Sequence, residues 1–114
     1  MQNTSGYEPV SNLLLMRMDP IEGTHEGGLI EKPQQAVYEE RLAQARCVCI
    51  AQGPLAWFRE VGPDGATVPR CKVGDHVLIE QWVGQYFKGK DGAFYRMIVD
   101  RNVIGRIIEE EKQA

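Results

Sequence analysis

The chain has 114 residues, of which 43% are hydrophobic and 25% are charged, and its formal net charge is −3 at pH 7. This length predicts one domain, residues 1–114, with one modest core. The acidic balance, with no basic stripe, argues against nucleic-acid binding. The apolar runs are shorter than the roughly 18 residues needed to cross a membrane, and the first residues do not resemble a secretion signal. Three cysteines, an odd number, favour a reducing compartment, so we expect a cytoplasmic protein.

The first half of the chain predicts two strands after a polar terminal arm, residues 1–11. The apolar run from Asn12 to Met18 stops at Asp19-Pro20, and its short length favours a strand buried on both faces. A second strand is predicted from Cys47 to Ala51, and it ends at Gly53-Pro54.

The connection between these strands is the most unusual stretch of the sequence. Residues 19–33 contain three glycines and then an abrupt apolar pair, Leu29-Ile30. Ordering such a loop has a large entropic cost, so we expect a mobile loop whose apolar pair is bound by a partner. The alternative is a surface loop whose Leu29 and Ile30 begin a core strand. After Pro33, the residues Gln34 to Gln44 favour a short helix or helical turn.

Turn signals divide the second half of the chain into short β-segments. A hairpin is predicted over residues 55–69, with its turn at Gly62, Pro63, Asp64 and Gly65. Further strands are predicted from His76 to Glu80, continuing through Gly84 to Lys88, from Phe94 to Val99, and from Val103 to Ile108. The tail, residues 109–114, is expected to be solvated. Many short strands with regular turns indicate an all-β fold, a small antiparallel barrel or sandwich.

Candidate sites for chemistry are weak. Cys47 and Cys49 alternate on one strand, and Cys71 and His76 flank a turn, but neither pair has the spacing of a structural zinc site. We interpret the cysteines as small buried hydrophobes and expect no metal. No nucleophile elbow, Walker loop or dinucleotide fingerprint is present, so we expect no enzyme and no cofactor. The aromatic residues could stack bases, but the dispersed lysines and arginines favour core and subunit contacts.

The order of these elements resembles that of the GroES-like co-chaperonins, and especially the divergent phage-encoded type, from about Asn12 to Ile108. The loop ends in Gly27-Gly28-Leu29-Ile30, similar to the family's Gly-Gly-Ile-Val-Leu. The segment Cys71 to Ile79 resembles the family's Lys-Val-Gly-Asp-x-Val block, and Asn102 to Ile107 resembles Asp-Ile-Leu-Ala-Ile. The chain differs from the family pattern in two ways. Glu31 stands where the family has a third apolar loop residue, and the segment from Glu31 to Arg46 is longer than in the short cellular form.

The resemblance implies an irregular β-barrel that assembles into a homoheptameric ring and caps a GroEL-type chaperonin during ATP-dependent protein folding. It implies that Gly27, Gly28, Leu29 and Ile30 bind the chaperonin, and that the 55–69 hairpin forms the roof of the ring. The implied subunit interface consists of Leu13, Leu14, Leu15, Val103, Ile104 and Ile107. Two alternatives remain: a structural module of the same fold, such as a virion component, and a catalytic barrel like that of zinc alcohol dehydrogenases, whose ligand cysteines and cofactor domain are lacking here.

Overall fold

The computed structural model describes residues 2–19 and 45–108. Its strands are β1 (Leu13–Met18), β2 (Arg46–Gln52), β3 (His76–Ile79), β4 (Gln85–Lys88), β5 (Phe94–Val99) and β6 (Val103–Arg106). A short 3-10 turn, Asp100–Asn102, joins β5 to β6. The predicted helix at residues 34–44 and the predicted solvated tail lie outside the described residues.

The six strands form one antiparallel sheet in the order β4-β5-β1-β2-β3-β6. The central strand β1 pairs with β2 on one side and with β5 on the other. The edges of the sheet are therefore β4 and β6, and no ladder joins these edges within the described part of the chain. The prediction of an antiparallel all-β fold is confirmed, and closure of the sheet into a barrel stays a prediction.

Both faces of the central strand are covered, because Leu14, Leu15 and Met16 are consecutive and all fully buried. Leu14 and Met16 belong to a main core cluster, whereas Leu15 belongs to a second cluster on the other face. The main cluster is completed by Met18, Cys47, Cys49, Trp57, Cys71, Val77, Ile79, Ile98 and Val103. The prediction of a strand buried on both faces is thus confirmed.

The N-terminal arm is docked beside the turn between β4 and β5. The carbonyl oxygen of Ser5 accepts a 2.7 Å hydrogen bond from the Lys90 amide. The ring of Tyr7 meets the edge of Phe87 with centroids 4.8 Å apart, and Phe87 packs against the second cluster. The arm therefore extends the packing on that face of the sheet.

The predicted continuation of the His76 strand through Gly84 to Lys88 is wrong. Strand β3 ends at Ile79, and the chain turns before β4, which pairs with β5 instead. Gly84 has φ +75°, and a Cβ there would lie 2.3 Å from the Met97 carbonyl oxygen. The residue is thus a glycine because the chain reverses while touching the backbone of β5.

The predicted hairpin is shorter than residues 55–69. Its expected first arm forms consecutive turns, with hydrogen bonds from the Phe58 amide to the Leu55 carbonyl (3.2 Å) and from the Glu60 amide to the Trp57 carbonyl (2.9 Å). The paired part begins at Glu60, whose carbonyl accepts from the Val68 amide at 2.7 Å. The β-prone residues of the first arm do not form an extended strand, because Trp57 turns into the core. Its φ is +69°, and the residue is 3% exposed.

Candidate interaction site

The residues predicted to bind a chaperonin, Gly27, Gly28, Leu29 and Ile30, lie outside the described residues. These four residues belong to segment 20–44. The structure describes the residues of β1 and β2 that flank this segment. Met18 pairs with Cys47, and the Asp19 amide donates a 3.2 Å hydrogen bond to the Arg46 carbonyl. The segment therefore leaves β1 and enters β2 at adjacent positions of two neighbouring antiparallel strands.

A polar cluster anchors this attachment point, which we call the stem (Asp19, Arg46 and His76). The Asp19 carboxylate lies 2.8 Å from His76 Nε2 and 3.5 Å from Arg46 Nε. A partly exposed ion pair such as that of Arg46 with Asp19 contributes only about 0–1 kcal/mol to stability. The stem therefore holds Asp19 and Arg46, which flank segment 20–44, beside His76 of β3. The contact between His76 and Asp19 joins residues that are 57 positions apart in the chain.

The turn of the hairpin has the predicted residues. The Gly62 amide donates to the Ala66 carbonyl at 2.8 Å, and the Gly65 amide donates to the Gly62 carbonyl at 3.0 Å. Asp64 Oδ1 accepts a 3.0 Å bond from the Ala66 amide, as expected of an aspartate in a turn. The turn at Gly62, Pro63, Asp64 and Gly65 is thus confirmed as a structural feature, whereas its role as a roof stays a prediction.

Apolar side chains of this region face outward. Val61 and Val68 are each more than half exposed, as are Leu55 and Phe58 on the preceding turns. Single exposed apolar residues are ordinary, but several along one short segment are typical of a contact surface. We call these four residues the hairpin patch.

Arg70 fixes the base of the hairpin to the rest of the fold. Its guanidinium makes a two-point contact with the Glu60 carboxylate, at 2.8 and 3.2 Å. It also donates to the carbonyl oxygens of Arg101 and Val103, at 2.8 and 3.0 Å. A planar fork with several fixed partners restricts movement, so the hairpin is tied to the start of β6.

Asp100 fixes the inward turn of Trp57. Its carboxylate, 5% exposed as a residue, accepts a 2.6 Å hydrogen bond from the Trp57 amide. The Trp57 indole N–H then donates to Gln52 Oε1 at 3.1 Å. This role of Asp100 could not be predicted from the sequence, because its partner lies 43 positions away in the chain.

The predicted subunit interface is divided between buried and exposed positions. Leu14, Leu15 and Val103 are buried in the chain's own core, and Leu13 and Ile107 are half-buried. Ile104 on the edge strand β6 is 60% exposed. An edge strand with an outward apolar side chain is suited to pairing with another chain. Among these residues Ile104 therefore offers the largest surface, and the interface itself stays a prediction.

The three cysteines are buried, in agreement with their interpretation as small hydrophobes. Across residues 2–19 and 45–108, no three His, Cys, Asp or Glu side chains are grouped so that they could hold a metal ion. The same residues include no helix long and apolar enough to cross a membrane.

Neither a scan against protein-family models nor a search of curated proteins gave a match. Function must therefore be inferred from the surfaces of the chain itself and from its sequence motifs.

Proposed function

We propose that this protein is a co-chaperonin subunit. Copies of the chain would form a ring-shaped lid that caps a GroEL-type chaperonin and assists ATP-dependent protein folding. The observation that carries the proposal is the stem, because it attaches both ends of the segment containing Gly27-Gly28-Leu29-Ile30 at one place on the sheet. A segment attached in this way can reach a partner while the sheet stays folded.

The energetics of the proposed contact require several loops. Burying an aliphatic side chain such as Leu29 or Ile30 contributes about 1.5–3 kcal/mol. Ordering a segment on binding costs about 2–5 kcal/mol or more. One loop therefore binds weakly, and several loops on one ring bind firmly through effective concentration. Such binding stays reversible when the chaperonin changes state, and the nucleotide belongs to the chaperonin.

The edge strand β6 supports assembly into a ring. Among the described residues its main chain pairs with β3 alone, and Ile104 is exposed beside it. Leu78 on β3, opposite Gly105, is also exposed, so the outward apolar surface covers both strands. A second copy that paired with this edge would cover that surface.

Glu31 favours a second candidate function, a structural or interaction module that does not bind a chaperonin. A carboxylate in the place of the third apolar loop residue would be costly to bury without a partner. Co-precipitation with a bacterial chaperonin in the presence of nucleotide separates the two functions, since only a co-chaperonin is retained.

The direct test replaces the two aliphatic residues of the loop, Leu29→Asp with Ile30→Asp. Chaperonin-dependent refolding of a client should be lost, while the mass of the oligomer should not change. The matched control, Val73→Asp with Trp82→Asp, adds the same charges at two exposed apolar positions outside segment 20–44 and should keep activity. Normal refolding with the Leu29 and Ile30 double variant would refute the assignment.

A further inference from the structure

Two of the three cysteines form a contact that the proposed function does not use. Cys49 on β2 and Cys71, which precedes β3, are buried in the same core cluster. Gln52 bridges the same two residues, because its Nε2 lies 3.6 Å from Cys49 Sγ and 3.1 Å from the Cys71 carbonyl oxygen. The two cysteine residues are thus neighbours in the fold although they are far apart in the sequence.

Main-chain hydrogen bonds hold the two segments together. The Gly74 amide donates to the Cys49 carbonyl at 2.8 Å, and the Cys49 amide donates to the Asp75 carbonyl at 3.0 Å. The turn between Cys71 and Asp75 is closed by a 3.0 Å bond from the Asp75 amide to the Lys72 carbonyl. The backbone pairing therefore keeps the Cys71 turn beside Cys49.

The environments of the cysteines give the two thiols different chemical roles. The hydrogen bond from Cys71 lowers the pKa of Cys49, and the contact with Gln52 acts in the same direction. The same hydrogen bond to Cys49, together with burial, raises the pKa of Cys71. Burial, with a smaller contribution from Asp19, raises the pKa of Cys47 to about 12. Cys49 is therefore the thiol that most readily becomes a nucleophilic thiolate.

We propose that Cys49 and Cys71 are a site of reversible oxidation, at which a peroxide converts the two thiols into an intramolecular disulfide. The Cys49 thiolate attacks one peroxide oxygen, the O–O bond breaks, and Cys49 becomes a sulfenic acid as water leaves. The Cys71 sulfur then attacks the Cys49 sulfur, the S–O bond breaks, and a second water leaves. Two thiols together lose two electrons and two protons, and the peroxide is reduced to two waters.

The position of Cys71 gives an oxidant a route to the buried sulfurs. Both side chains are almost fully buried, but Lys72, Val73 and Gly74 directly after Cys71 are exposed. Opening of this turn exposes the thiols without separating β1 from its neighbours. We therefore expect oxidation to be slower than that of an exposed thiol, and the product to tie the turn to β2.

The test treats the full chain with hydrogen peroxide, alkylates the remaining thiols in denaturant, and maps the linked peptides by mass spectrometry. The expected product has a Cys49–Cys71 disulfide and an alkylated Cys47, and a thiol reductant restores three alkylated cysteines. Trypsin leaves Cys47 and Cys49 on one peptide, so fragmentation must assign the linked sulfur. Cys47→Ala is the matched control and should still form the disulfide, whereas Cys49→Ala and Cys71→Ala should not.

A second arm applies the same treatment to the unfolded chain in guanidinium. There the pairing should lose its selectivity and include Cys47 with Cys49, which are close in the sequence. A native chain whose disulfides include Cys47 would overturn the proposal, and so would three free thiols after prolonged treatment. Mapping of the unmodified chain needs no variant to fold, and its result does not depend on whether the protein binds a chaperonin.

Discussion

The interior of the sheet and the hairpin patch use similar aliphatic side chains in opposite ways. Leu14 and Leu15 are fully buried in β1, whereas Val61 and Val68 beside the hairpin turn are each more than half exposed. Apolar burial stabilises the chain itself, and an exposed apolar surface is free to stabilise a complex. The comparison teaches that stability and contact lie in separate regions, so substitutions should affect them separately.

The largest expected difference follows from truncating one aliphatic side chain in each region. Leu14→Ala should lower the free energy of unfolding by about 2–5 kcal/mol, because it leaves a cavity in the main core. Val68→Ala should change the free energy of unfolding by no more than about 0.5 kcal/mol, since its side chain is exposed. Urea denaturation of both variants measures the difference, and equal losses would remove the distinction between the regions.

Two glycines with positive φ sharpen the same comparison. Gly84→Ala should lower the free energy of unfolding by about 2–4 kcal/mol, since the new Cβ would clash with the Met97 carbonyl in addition to the strain at φ +75°. Gly65 in the hairpin turn has φ +86° and nothing within 4 Å of a Cβ, so Gly65→Ala should lose only about 1–2 kcal/mol. Thermal unfolding of both variants provides the measurement. If Gly65→Ala lowered the free energy of unfolding more than Gly84→Ala, the result would contradict the packing described for Gly84.

Asp100 connects the two regions, because it holds the amide of Trp57 just before the hairpin. Asp100→Ala should lower the free energy of unfolding by about 1–3 kcal/mol by leaving a buried N–H without an acceptor. Asp100→Asn keeps a side-chain oxygen and should recover part of the loss. Urea denaturation of both variants measures the change, and an unchanged free energy of unfolding for Asp100→Ala would show that this bond does not position Trp57.

The smallest expected effect concerns the docked N-terminal arm. Asp91 accepts hydrogen bonds from Thr4, Tyr95 and the Ala93 amide, which lower its pKa from 3.8 to about 2. Because the pKa in the folded state is depressed, the stabilisation is present above pH 3.8 and is lost as the pH falls through about 2. A pH titration followed by NMR should give this low midpoint, and Thr4→Val should raise it. An unchanged midpoint in Thr4→Val would show that the arm does not bind Asp91.

The sequence predicted the strands best where the pattern of apolar residues is local. Strand β1 was evident because a short apolar run ends at Asp19-Pro20, and β5 has the predicted limits, Phe94 to Val99. The prediction that the His76 strand continues through Gly84 was wrong, because the turn there depends on the close approach of Gly84 to Met97, which belongs to a later strand. The limits of these two strands therefore followed from neighbouring residues, whereas the turn at Gly84 depends on a residue of another strand.

Fewer features of the candidate sites than of the strands could be predicted from the sequence. The turn at Gly62 to Gly65 followed from turn residues, and the burial of the cysteines followed from a spacing that does not fit a zinc site. The pairing of His76 with Asp19 and the contact between Cys49 and Cys71 could not be predicted, because each joins segments that only the sheet brings together. Side-chain partners that are distant in the sequence require the three-dimensional fold.

The most direct test of the proposed capping function is the mass of the protein in solution, alone and mixed with a GroEL-type chaperonin and nucleotide. We expect a closed oligomer of identical subunits that joins the chaperonin as one unit when nucleotide is present. A single subunit whose mass is the same with and without the chaperonin would contradict the proposal.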